Sequence, residues 1–88
     1  MSHYKKLYYK IRNNPKDVRF EDLEKLMTKV GGFNSYSGKG DHVIFTHPDT
    51  DELISVDTRG RRKPLKRYIV IKCLRIFNEL NPGFGKEE

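Results

Sequence analysis

A chain of 88 residues, 35% hydrophobic and 34% charged, can bury one core and is too short for two; lacking any apolar run near the roughly 18 to 20 residues that cross a bilayer as a helix, it is not expected to span a membrane. Its 18 lysines and arginines exceed 12 acidic residues by six, which points to an anionic partner. The lone Cys73 excludes an intrachain disulfide and any CxxC motif, and no apolar stretch of signal-peptide type follows the basic start "MSHYKKLYYK", so the expected location is a reducing cytoplasm.

Residues 1–15 read as an N-terminal helix or arm. Tyr4, Leu7, Tyr8 and Ile11 recur at helical spacing, and Pro15 ends the run. The main domain is expected over 16–82. Within "RFEDLEKLMTKVGGF", Phe20, Leu23, Leu26, Met27 and Val30 form one stripe while Glu21, Glu24, Lys25 and Lys29 face away. Acids early, lysines late and Gly31-Gly32 at the end mark a helix with a C-terminal stop. Three strands follow, "FNSYS", "HVIFTH" and "LISVD". The connector "HPDTDE" is rich in turn formers, so the last two strands form a hairpin. In "YIVIKCLRIFNELNPG" the β-branched start suggests a strand, but Val70, Cys73, Leu74, Phe77 and Leu80 keep a helical stripe too long for one. Residues 83–88 are read as a mobile tail.

The resulting fold is α+β, with the order α-β-β-β-α after the N-terminal helix or arm. Two amphipathic helices need one face of the three-stranded antiparallel sheet, which leaves the other face open. If Val43 and Phe45 point to the helices, alternation turns His42 outward.

Charge is unevenly distributed. "RGRRKPLKR" holds Arg59, Arg61, Arg62, Lys63, Lys66 and Arg67 and no acid; without it the chain has 12 basic and 12 acidic residues. A purely solvated face has no need of such clustering, whereas a polyanion-binding surface does.

The stretch "SGKGDHVIF" places an imidazole where a glycine turn enters a strand. A surface histidine is the ordinary reading of such a residue. The neighbours favour chemistry: Gly38 and Gly40 permit close backbone approach, Lys39 adds charge, and the basic segment opens the last helix, where phosphate binds readily. Histidine titrates near neutrality, and RNA supplies its own nucleophile in the 2′-hydroxyl, so one histidine with cations can act without a metal or cofactor. No GxSxG elbow and no GxxxxGK[ST] loop is present, and His42, His47, Asp49 and Asp51 match no metal-ligand spacing.

"LEKLMTKVGGF", "GKGDHVIFTHP" and "RKPLKRYIVIKCL" together resemble the HicA (YcfA-like) mRNA interferase toxins, over about residues 13–78. The resemblance implies a fold like the double-stranded RNA-binding domain, with helices on one face. It also implies a metal-independent ribonuclease acting on messenger RNA, and a HicB-like antitoxin as partner. The family's catalytic histidine falls on His42, its preceding glycine on Gly40 and its frequent basic residue on Lys39; Lys63, Leu65 and Lys66 match the segment before the last helix. Asp41 and Val43 depart from a common serine and a second histidine, and Thr58 and Arg59 from a common proline and histidine. An acid beside His42 repels phosphate. His47 matches the family's His-Pro and is read as hairpin structure. The competing expectation is a non-catalytic double-stranded RNA-binding module, with a Gly-Pro-x-His-x-x-x-Phe pattern; Gly40 to Phe45 lacks its proline and has two residues, not three, between His42 and Phe45.

Overall fold

The computed structural model describes residues 3–84. Helix α1 (His3–Asn13) buries Leu7, Tyr8 and Ile11 on one side. It is part of the core rather than a separate arm: the Tyr8 ring lies 5.8 Å from Phe77, and its hydroxyl donates to Asn78 Oδ1 at 3.0 Å. Helix α2 (Phe20–Lys25) continues the same stripe through a π-helical turn, Leu26–Val30. The sequence predicts an unbroken α-helix here. The difference lies in the terminal bonds, where the Gly31 amide reaches back to the Leu26 carbonyl and the Phe33 amide to that of Met27, both at 3.0 Å. Thr28 Oγ1 also donates to the Glu24 carbonyl, a local bond known to bend helices.

Strands β1 (Asn34–Ser37), β2 (His42–Thr46) and β3 (Ile54–Asp57) pair antiparallel in the order β1-β2-β3. Val43 pairs with Val56 and Phe45 with Ile54. This register puts four buried apolar side chains on one face, and a one-residue slip would turn all of them to water. Phe20 of α2 stacks on Phe45 with ring centres 6.3 Å apart, which ties helix to sheet. Strand β1 adds little apolar bulk; its Ser35 hydroxyl donates to Glu24 at 3.0 Å.

Helix α3 (Arg67–Leu80) buries Ile69, Val70, Cys73, Leu74, Ile76 and Phe77. These positions make a continuous helical face, which decides against the strand alternative despite the β-branched start. Asn81 closes the helix, its amide and Nδ2 both donating to the Phe77 carbonyl, at 2.9 and 3.0 Å. Phe84, inside the tail expected to be mobile, packs edge-on against Tyr8 and Phe77 at 5.5 and 5.4 Å. The remainder of that tail, 85–88, lies outside the described residues. No helix among the described residues is long and apolar enough to cross a membrane.

Candidate nucleic-acid interface

The β1–β2 turn and the segment after β3 meet at one end of the sheet. Thr58 holds them together: its amide and its Oγ1 both donate to the Asp41 carbonyl at 2.8 Å. Thr58 is only 3% exposed, so both bonds are shielded from water. Within the β1–β2 turn, Gly38 donates to the His42 carbonyl at 2.7 Å, and Gly40 takes φ +66 with open space around it. Backbone conformation rather than crowding therefore demands glycine at 40.

His42 is the first residue of β2 and is exposed, on the face away from the helices. Its Nδ1 lies 3.2 Å from the Lys39 carbonyl oxygen. A carbonyl can only accept, so Nδ1 is the protonated nitrogen and the neutral ring keeps its lone pair on Nε2. The turn thus sets the tautomer through the backbone of Lys39.

His42 lines a shallow depression of about 510 Å³ together with Gly38, Lys39, Gly40, Asp41, Ile44, Ser55 and Asp57. Of the expected site residues, this brings together His42, Lys39 and Gly40. The six basic residues of the 59–67 segment do not line it. Residues 59–61 form a left-handed turn in which Arg59, Gly60 and Arg61 have φ 55, 68 and 61. Two non-glycine residues held there cost roughly 1 to 2 kcal/mol each. The turn is tied on several sides. The Arg59 amide donates to Asp57 Oδ1 at 2.8 Å and its guanidinium to the Pro64 carbonyl at 3.2 Å. Arg61 lies over the Phe20 ring at 4.6 Å and 3.8 Å from Glu21, and Arg19 Nη1 donates to the Arg62 carbonyl at 2.7 Å.

Arg59 and Arg61 therefore spend their guanidinium groups on shaping the segment. The side chains of Lys39, Arg62, Lys63, Lys66 and Arg67 are exposed and take no hydrogen-bond or ion-pair partner among the described residues. Lys66 caps the start of α3 with an extended backbone and Arg67 is its first residue, so two cations stand at a helix end already favourable to anions. Two carboxylates, Asp41 and Asp57, sit in the depression, and the second is engaged by the Arg59 amide. The strongest free positive charge accordingly lies at the α3 end and not around the imidazole.

Asp57 and Ser55 are the lining residues that the sequence reading missed. The signal was present: pairing the apolar alternation of β2 with that of β3 sets Val43 against Val56, which puts Asp57 opposite His42 and Ser55 opposite Ile44. His47, read as hairpin structure, sits at the opposite end of β2. Its ring packs edge-on to Phe33 at 4.9 Å, and its Nδ1 accepts the Asp49 amide at 3.0 Å.

No group of three or more His, Cys, Asp or Glu side chains among the described residues is placed to hold a metal ion. No family profile, curated protein or solved structure matches this chain.

Proposed function

We propose that this chain is a HicA-like, metal-independent ribonuclease, the toxin of a type II toxin-antitoxin pair, with His42 as its catalytic histidine and messenger RNA as its substrate. The observation that carries the reading is the bond from His42 Nδ1 to the Lys39 carbonyl, which leaves Nε2 as a base on an exposed ring. The helix-sheet arrangement is compatible with a double-stranded RNA-binding type of fold, and the order of the glycine-histidine turn, hairpin and basic helix start supports the same reading.

The chemistry follows from the tautomer. Nε2 takes the proton of a ribose 2′-hydroxyl, and the oxygen attacks the adjacent phosphorus. The bond to the 5′-oxygen breaks, that oxygen takes a proton from water, and a 2′,3′-cyclic phosphate remains on the upstream fragment. Lys39 offsets the charge that builds on the phosphate, while Lys63, Lys66 and Arg67 hold neighbouring phosphates at the start of α3. Gly40 gives the turn its path, Arg59 and Arg61 keep the basic segment in register with it, and Arg62 adds a free cation for the RNA backbone. On this reading the protein works in the cytoplasm and a HicB-like partner covers the open face.

One observation favours a second reading, a non-catalytic double-stranded RNA-binding module. The free cations cluster at α3, while the depression holds two carboxylates. A single experiment separates the two: purified wild type and His42→Ala are incubated with RNA in EDTA, with binding and circular dichroism recorded for both. The expected result is cleavage by wild type, a loss of roughly 10²- to 10⁴-fold in the variant, and an unchanged fold. RNA bound by wild type but left intact establishes the binding module, and equal cleavage by both proteins removes His42 from the chemistry.

A further inference from the structure

The basic segment is not the whole of the cationic surface. Helix α1 reads HYKKLYYKIRN and contains no acid. Its buried stripe of Leu7, Tyr8 and Ile11 fixes its rotation, and Lys6 and Lys10, four residues apart, then share an exposed flank. With His3, Leu7, Asp22 and Lys25 they line a depression of about 230 Å³ between α1 and α2. Among the described residues Asp22 is the one carboxylate that lines that depression, and Lys10 engages it at 3.1 Å. Lys6 and Lys25 have no carboxylate partner among the described residues, so three ammonium groups face one acid.

The first turn of α2 joins this flank to the basic segment. Lys10 reaches Asp22, and on the neighbouring position Arg61 approaches Glu21 at 3.8 Å. Both acids of that turn are thus met by a cation from a different part of the chain. That leaves Arg62 and Lys63, held next to the start of α2 by the bond from Arg19 to the Arg62 carbonyl, and Lys6 and Lys25, on the depression between α1 and α2, without an acidic partner among the described residues. Two segments about 50 residues apart in sequence contribute to one surface.

We propose that α1 is a second phosphate-contacting element, and that RNA held at the start of α3 extends across the first turn of α2 onto Lys6 and Lys25. This inference rests on the RNA reading given above and adds a footprint to it. A band of fixed ammonium groups suits a polyphosphate chain, whose charges recur along its length, better than a small anion.

The test is RNA affinity over a range of salt concentration, using the full chain and a single-stranded RNA of about 20 nucleotides. Wild type is compared with Lys6→Gln/Lys25→Gln, which leaves the Lys10–Asp22 pair in place, and with Lys72→Gln, an exposed α3 lysine outside the depression. Each phosphate contact contributes about 0.7 to the slope of log K against log salt for a single strand. The double variant should therefore be shallower by about 1.4, with Lys72→Gln unchanged. An unchanged slope in the double variant, or an equal loss per charge in Lys72→Gln, overturns the α1 contact while leaving the RNA reading intact. Failure of wild type to bind RNA at any salt overturns both.

Discussion

The two histidines of the hairpin use the same ring nitrogen in opposite ways. His42 Nδ1 faces a carbonyl and must donate, whereas His47 Nδ1 faces the Asp49 amide and must accept. Protonating His42 leaves its backbone bond in place, but protonating His47 destroys the bond that closes its turn. That difference suits the first for proton transfer and the second for structure. Cys73 shows a third way in which surroundings decide the role of a reactive side chain. It is fully buried in α3, and burial pushes its thiol from 9.0 up to about 12. The folded state therefore keeps its proton after the unfolded state has lost it. Stability from this source is complete below pH 9 and declines as pH rises from about 9 towards about 12, at up to about 1.4 kcal/mol per pH unit. Urea unfolding of wild type and Cys73→Ala at pH 8 to about 10.5 should show the gap between them narrowing above pH 9. Parallel curves across that range would show that the thiol does not titrate differently in the two states. The native thiol should also resist alkylation until the protein unfolds.

At the scale of elements, two glycines show different reasons for the same residue. Gly31 closes the π-helical turn with φ −77, ordinary for any residue, but an added Cβ would lie 2.7 Å from the Met27 carbonyl oxygen and 3.0 Å from Phe33 and Phe77. Gly60 has open space around it but a left-handed backbone. Gly31→Ala should accordingly cost more than about 2 kcal/mol, through steric displacement of packed groups, and Gly60→Ala only about 1 kcal/mol, through conformation. Denaturant midpoints of the two variants provide the comparison; the reverse order would contradict the packing argument. The same elements show what local pattern reveals. The stripes of α2 and α3 and the alternation in β2 and β3 were readable because each has a single buried face. The π-helical turn was not, because it depends on bonds from Gly31 and Phe33 to carbonyls beyond the α-helical spacing. The left-handed turn at 59–61 was readable only at Gly60, since nothing local to arginine selects that conformation at Arg59 or Arg61; contacts to Asp57, Pro64, Phe20 and Glu21 impose it.

At the scale of the molecule, residues chosen by sequence for one site divide between two neighbouring places: His42, Lys39 and Gly40 in the depression, and the free cations at the start of α3. Sequence spacing gave their order along the chain, but not that the guanidinium groups of Arg59 and Arg61 would be tied to Pro64, Phe20 and Glu21, outside the lining of the depression that holds His42. It likewise marked α1 as amphipathic without revealing that the molecule has a single core to which α1 belongs. Leu7, Tyr8 and Ile11 belong to the same buried cluster as Phe20, Met27 and Phe77, and Phe84 packs against Tyr8 from the other end of the chain. A detachable arm and an integral helix predict different energetics. Ile11 is 1% exposed, and truncating a buried isoleucine typically costs about 2 to 5 kcal/mol, against a total of roughly 5 to 15 kcal/mol for a folded domain. Tyr4, on the same helix but 37% exposed, is a control whose replacement by alanine should cost far less. Urea unfolding should therefore show Ile11→Ala losing a large part of the stability in one cooperative transition, monitored equally well by helix signal and by tyrosine fluorescence. If Ile11→Ala instead unfolds within about 0.5 kcal/mol of wild type, the range of ordinary surface substitutions, α1 contributes nothing to the common core and the remaining elements stand without it.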